Sequence, residues 1–267
     1  MEKMHKTTFA EKLGYGLGEL PGTMNAILGA VLTMFYTDSV GLAAGMVGTM
    51  FFISRLFDGI SDLLAGSLID RTRTRWGKAR PWLLWMSVPT GLALALIFWI
   101  PANGSDTMKM IYAFVTYNLF ISVLYTIVGV AKNALMPLMT QDGPSRGALA
   151  RYSLIFGLGG TILGISVTFP FLFALGGDLK AWRTIFIVYG IITTVGLLLS
   201  FALTKEHVQS VESAAKKEEN MSLVESVKNF VQNKYFIFAL AMTVFVNFAV
   251  QINSGSQTYF YTYVMND

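Results

Sequence analysis

Arg55-Leu-Phe-Asp58-Gly-Ile-Ser61-Asp62 lies inside a run, Gly45 to Ile69, that is otherwise apolar enough to cross a bilayer as a helix. At separations of three and four residues, Arg55, Asp58 and Asp62 fall on one helical face. Ionisable groups at bilayer depth are costly, so such a face turns toward a partner helix or a water-filled cavity. Two readings follow. One is an ion or proton site in a transporter. The other is a buried ion network that only holds helices together.

Composition agrees with a membrane protein. Of 267 residues, 54% are hydrophobic and only 13% are charged, with a mean hydropathy of +0.54. A soluble domain carries about a quarter charged residues. There is no cysteine, which excludes a disulfide frame, a thiolate metal site and a thiol nucleophile. His5 and His207 lie outside the apolar runs, which excludes a histidine proton relay or hydrolase triad at bilayer depth. No GxxxxGK[ST] phosphate loop and no HExxH zinc motif occurs. The net charge of +4 sits in loops between apolar runs, so it reads as a topology signal and not as a nucleic-acid surface.

The spacing predicts seven spans: about Tyr15 to Tyr36, Gly45 to Ile69, Pro81 to Ile100, within Lys109 to Met139, within Leu149 to Leu175, Thr184 to Leu203, and Tyr235 to about Val264. Nothing before residue 9 has the apolar core of a cleavable signal peptide. Lys3, Lys6, Lys12, the Arg71–Arg80 loop, Arg146, Arg151 and the lysines of 205–234 all fall on one side. Only Lys109, Lys180 and Arg183 fall on the other, which predicts a cytoplasmic amino terminus. Arg55 and Lys132 remain, both inside apolar runs.

The stretch 204–234 is the one organisational break. Its Glu206 to Glu219 part is charged and poor in apolar residues, which predicts a flexible or weakly helical connector. Ser222-Leu-Val-Glu225 has capping-box spacing and opens a short amphipathic run to Val231. The expected organisation is a six-helix amino-terminal bundle over 1–203, a cytoplasmic linker over 204–234, and a seventh helix over 235–267 that starts an incomplete second bundle.

Small residues recur at spacings of four, at Gly14, Gly18 and Gly22 and again at Gly160 and Gly164, which suits close helix packing. Glu19 lies between two of these glycines and either snorkels to the interface or pairs inside the bundle. After the second span, Asp70-Arg71-Thr-Arg73-Thr-Arg75-Trp76-Gly77-Lys78-Ala-Arg80-Pro81-Trp82 places an acid at a helix end before a basic turn. Asp70, Arg71, Arg75 and Lys78, with Arg55, Arg146 and Arg151, are candidate gating residues that brace helix ends in one state and release them in another. The alternative is topology charge alone.

At these residues the chain resembles the glycoside-pentoside-hexuronide cation symporters, the melibiose-permease-like branch of the major facilitator superfamily. The resemblance is carried by Lys12-Leu-Gly-Tyr15-Gly-Leu-Gly18-Glu19, Phe35-Tyr36-Thr37-Asp38 with Val40-Gly41-Leu42, and the Arg55–Asp62 stretch. It continues through Asp70–Trp82 and Tyr125-Thr126-Ile, and extends more weakly into the seventh span. Family members are twelve-helix proteins, so the chain matches about the first seven helices.

The resemblance implies roles. Asp58 and Asp62 match second-helix acids that bind the coupling cation. Ser61 stands where melibiose permease has an asparagine that helps select sodium, and Thr126 matches a threonine near the same cation. Tyr125 matches a residue near the sugar. Thr23 and Gly129 stand at sugar-binding aspartates, and Leu154 at a sugar-facing arginine. These departures argue against melibiose as the substrate and leave the sugar class open. Lys132 lies one helical turn from Gly129. It either neutralises Asp58 or Asp62, taking the place of sodium or making coupling proton-dependent, or snorkels to the cytoplasmic side. Glu19, Lys132 and Asn133 join Thr23, Tyr125 and Gly129 as candidate substrate residues.

The expectation is therefore an all-α polytopic protein of a bacterial plasma membrane, not an enzyme. It would carry a sugar or glycoside with sodium or a proton by alternating access, without another cofactor. The chain would be a truncated form whose partner is a second copy or the missing half. The alternatives are a non-transporting sensor or assembly subunit, and a facilitator for a lipid or drug.

Overall fold

Thr8 opens the first helix. Its hydroxyl accepts from the Glu11 amide, and the Glu11 carboxylate accepts from the Thr8 amide, which caps α1 (Phe9–Leu17) from both sides. The helix breaks at Gly18 and Glu19 and restarts as α2 (Leu20–Met34), with Pro21 in its first turn, where a missing N–H costs little. A π-helical turn, Phe35–Ser39, completes the first span. The chain then turns at Gly41, whose φ of 81° favours glycine.

These contacts come from a computed structural model that describes residues 5–101, 104–208, 232–235, 237–238, 241–243 and 245–246. The second span is one unbroken helix, α3 (Ala44–Arg71). The third is α4 (Arg80–Trp85) and α5 (Ser87–Ile97), separated at Met86. Pro89 causes that break, because it has no N–H to give the carbonyl four residues back and its ring crowds that carbonyl. The fourth span runs continuously through α6 (Asp106–Asn118), a π-helical turn (Leu119–Tyr125) and α7 (Thr126–Met139). The fifth repeats that pattern with α8 (Gly143–Leu154), a π-helical turn (Ile155–Gly159) and α9 (Gly160–Ala174). The sixth is α10 (Leu179–Leu203).

Caps explain why several helices start earlier than the apolar runs suggest. Asp142 accepts from the Ser145 amide at 2.9 Å and hydroxyl at 2.6 Å, so the fifth span starts at Gly143. Those bonds hold the Asp142 carboxyl below the usual carboxylate range. Among the described residues, Asp106–Met139, Gly143–Ala174 and Leu179–Leu203 are long and apolar enough to cross a membrane as single helices. α3 has the length but carries the Arg55–Asp62 charges, and the first and third spans are each split.

Two buried clusters hold the bundle. One contains Ile27, Phe35, Phe98, Phe120, Trp182 and Phe186. Phe98 stacks on Phe186 with ring centroids 3.7 Å apart, and Trp182 Nε1 donates to Ser39 Oγ at 3.0 Å. The other contains Tyr15, Ile69, Leu83, Val128, Leu149 and Leu197. α10 packs on α5 so closely that a Cβ on Gly91 would lie 2.4 Å from the Gly190 carbonyl oxygen. The Gly160–Gly164 pair faces α2 in the same way: a Cβ on Gly164 would lie 2.3 Å from Ile27 Cδ1. Large apolar side chains such as Phe52, Leu63, Leu163 and Ile191 are exposed. In an all-α polytopic membrane protein this is surface offered to lipid or to further helices.

The chain divides into two compact units, Met1–Gln209 and Ser210–Asp267. In the second, the described Tyr235, Phe238 and Phe245 are helical and exposed. The Ser222–Glu225 capping box, and the seventh span beyond Val246, lie outside the described residues.

Candidate functional site

The break between α1 and α2 leaves Glu19 inside the bundle, opposite α7 and α8. Lys132 Nζ donates to Glu19 Oε2 and, at 2.6 Å, to Ser153 Oγ. The Ser153 hydroxyl also donates to Glu19 Oε2 at 2.6 Å. The Lys132 ammonium lies 4.7 Å from the Tyr15 ring centroid, a cation–π distance. Its side chain is 8% exposed and that of Glu19 28%, so a buried cation has a carboxylate, a hydroxyl and an aromatic face as its surroundings. Burying a charge without such partners would be expensive.

This changes the expectation for Lys132. It neither neutralises Asp58 or Asp62 nor snorkels outward, because the interrupted first span brings a nearer carboxylate, Glu19, to it. Glu19 correspondingly pairs inside the bundle.

Glu19, Thr23, Tyr125, Lys132 and Asn133 all line one cavity of about 440 Å³, together with Ser153 and Leu154. That size suits a small-molecule ligand. Thr23 is tied in, its hydroxyl donating to the Phe156 carbonyl at 3.2 Å, and Gly22 and Gly157 let the walls approach Glu19. Gly129 is not among the lining residues, and a Cβ built on it would meet open space.

A second polar group joins α3 to the fourth span. The Ser122 hydroxyl lies 2.7 Å from Asp58 Oδ1, to which it donates, and 3.1 Å from Asn118 Oδ1. Asn118 Nδ2 donates to Ser54 Oγ and to the Phe114 carbonyl, both at 2.8 Å. Arg55 Nη1 stands 3.5 Å from Asp58 Oδ2, but its side chain is 74% exposed, so the pair contributes little. Ser61 and Ser122 line a cavity of about 330 Å³ with Arg71 and Ile127.

Not every candidate cation residue gathers there. Asp62 is exposed and has no hydrogen-bond or ion-pair partner among the described residues. The Ser61 hydroxyl donates to the Asp58 carbonyl at 2.8 Å. The Thr126 hydroxyl donates to the Ile121 carbonyl, five residues back, at 3.2 Å. The π-helical turn explains that last bond, since its wider winding offers a carbonyl at that spacing.

The gating candidates also resolve differently. Asp70, in the last turn of α3, pairs with Lys78 of the loop that follows at 2.7 Å, and not with a neighbouring helix. The Arg75 guanidinium stacks 4.6 Å from the Trp76 centroid, and Arg146 Nε donates to the Thr140 carbonyl at 2.9 Å. Arg71 and Arg151 have no carboxylate partner among the described residues. The loop is instead fastened by a residue the sequence places in the flexible connector. The Glu206 carboxylate accepts from the amides of Lys78, Ala79 and Arg80, at 3.0, 2.9 and 2.9 Å, at the start of α4. Gly77, at φ 110°, makes the approach possible, because a Cβ there would collide with that carboxylate. The connector therefore begins anchored, and the charge of Glu206 is structural there.

Residues 14–267 match the family described as MFS/sugar transport protein. The chain is 34% identical to the inner membrane symporter YicJ of Escherichia coli (strain K12), over 96% of this chain and 54% of that protein. It is 30% identical to the isoprimeverose transporter of Lactiplantibacillus pentosus, over 97% of this chain and 54% of that one. It is 33% identical to the putative glycoside/cation symporter YagG of Escherichia coli (strain K12), over 98% and 56%. The chain spans about half the length of the curated relatives it matches.

Proposed function

The chain belongs to the MFS/sugar transport protein family, and from that premise we propose that it supplies one wall of a secondary active transporter for a sugar or glycoside, coupled to sodium or a proton. The observation that carries this reading is the Glu19–Lys132–Ser153 cluster opening onto the 440 Å³ cavity. A sugar hydroxyl donates one hydrogen bond and accepts others. A carboxylate beside an ammonium and a hydroxyl meets both needs.

Asp58 is the proposed seat of the coupling ion or proton. Ser122, which holds Asp58, and Lys132, which holds Glu19, lie on the same continuous span, Asp106–Met139. Ten helical residues correspond to about 15 Å of rise. A charge change at Asp58 is thus relayed to the sugar side by movement of one helix against α3 and α8, which is how binding at two sites becomes coupled. Rocking of this bundle against a second one would alternate access. We place the protein in the bacterial inner membrane with its amino terminus in the cytoplasm, on the asymmetry of its Lys and Arg residues. The members of this family are transporters and not enzymes.

Membrane vesicles containing the chain assembled with a second bundle, an imposed sodium or proton gradient and a panel of labelled glycosides test the reading. Uptake of one glycoside that collapses with the gradient supports it. Uptake of none, beside an active control symporter, refutes it.

A further inference from the structure

Away from both cavities, three chemically distinctive side chains from distant parts of the chain meet. His5 precedes α1, Glu11 lies in its first turn, and His207 follows α10. His5 Nε2 stands 3.3 and 3.2 Å from the two Glu11 carboxylate oxygens, and His207 Nε2 stands 2.6 Å from Oε1. The two imidazoles stack with centroids 3.6 Å apart and planes 26° apart. One ligand atom from each residue lies within 4.8 Å of the other two. We propose that His5, Glu11 and His207 form a binding site for a late first-row divalent cation, zinc foremost.

The donor set suits such an ion. Two imidazoles and a carboxylate suit zinc, with water in the fourth position. Tetrahedral ligands at about 2.0–2.1 Å from zinc stand about 3.3 Å from one another. His5 Nε2 already stands at that distance from Glu11. Binding would open His207 from hydrogen-bond to ligand spacing and splay the two stacked rings, since imidazoles on one tetrahedral ion have centroids about 5 Å apart.

The surroundings hold the ligands in place. Thr8 donates to Glu11 Oε2 from its amide at 2.8 Å and its hydroxyl at 3.1 Å. This fixes the carboxylate and leaves Oε1 turned to His207, the outer support that metal ligands characteristically have. The ligand backbones are pinned as well. The His5 carbonyl accepts from Thr140 Oγ1 at 2.6 Å, and the His207 amide donates to the Leu138 carbonyl at 2.9 Å. The Glu11 side chain is only 7% exposed, while His5 and His207 are 32% and 30% exposed, so the carboxylate is sheltered and the rings give an entry path.

The residue types are also used economically. The chain has two histidines and no cysteine. Both histidines reach the same carboxylate, although 196 residues separate Glu11 from His207. A bound ion would clip the segment before α1 to the segment that leaves α10.

The scarcity of ligands makes the test clean. The 267-residue chain, purified in detergent without a polyhistidine tag, is titrated with Zn²⁺ by calorimetry and with Co²⁺ by visible absorption. One ion per chain and a tetrahedral cobalt spectrum are expected. His5→Ala and His207→Gln should each weaken binding by roughly tenfold or more, with helical content unchanged by circular dichroism. Because Glu11 also caps α1, the two histidine variants decide the matter. Absence of saturable binding, or binding unaltered in the doubly substituted chain, would overturn the proposal.

Discussion

Ser122 donates to Asp58 at 2.7 Å, and this bond joins the charged face of α3 to the span that carries Lys132. A hydrogen bond to a charged acceptor contributes about 1.5–3 kcal/mol. Ser122→Ala should therefore shift the sodium or proton concentration for half-maximal uptake by roughly tenfold or more, with less change in maximal rate. An unchanged concentration dependence would show that Asp58 does not act through this contact.

The Glu19–Lys132 pair should behave as a unit. Lys132→Met leaves a carboxylate facing the cavity without its counter-charge, and loss of one partner of a buried pair costs about 3–5 kcal/mol. Glu19 is 28% exposed, so the lower end is expected. The double variant Glu19→Gln/Lys132→Met should recover much of the thermal stability of the parent and remain unable to bind substrate. Additive losses in melting temperature would contradict the pairing.

Gly91 and Gly190 set the distance between α5 and α10. Gly91→Ala places a Cβ 2.4 Å from the Gly190 carbonyl oxygen, so the helices must separate. Overpacking of this kind costs about 1–3 kcal/mol, and the melting temperature should fall. Gly48→Ala, whose Cβ meets nothing within 4 Å, is the matched control and should leave it nearly unchanged.

Glu206 should control access to the loop after α3. In Glu206→Ala the amides of Lys78, Ala79 and Arg80 lose a charged acceptor. Trypsin should then cleave after Arg73 or Arg75 several-fold faster, while the core helices resist. Equal cleavage rates would mean that the contact does not order the loop.

Topology can be read from single cysteines, since the chain has none of its own. An impermeant reagent on intact cells should label cysteines at positions 38 and 106 and leave those at 75 and 216 unlabelled. The reverse pattern would invert the assignment.

Charge inside an apolar run is conspicuous in a sequence, which is why Asp58 and Lys132 stand out from their neighbours. Their partners do not. Ser122 and Ser153 are ordinary polar residues in helices, and one sequence does not say which helix faces which. Helical periodicity also fails at the π-helical turns, where the extra winding rotates everything downstream. Thr126 illustrates this, because its hydroxyl serves Ile121 and not the α3 carboxylates. Glu206 is indistinguishable in sequence from the charged connector around it; only the Gly77 that accommodates it hints at a close approach. His5 and His207 read as two loop histidines, because nothing local reveals a meeting across nearly the whole bundle.

If sugar movement is coupled to an ion through Asp58, removing that carboxylate's charge should uncouple the two. Vesicles containing the transporter, with and without Asp58→Asn, are given an imposed sodium or proton gradient and a labelled glycoside that the parent accumulates. Asp58→Asn should abolish accumulation above equilibrium while exchange of internal for external sugar continues. Full gradient-driven accumulation by Asp58→Asn would contradict that coupling.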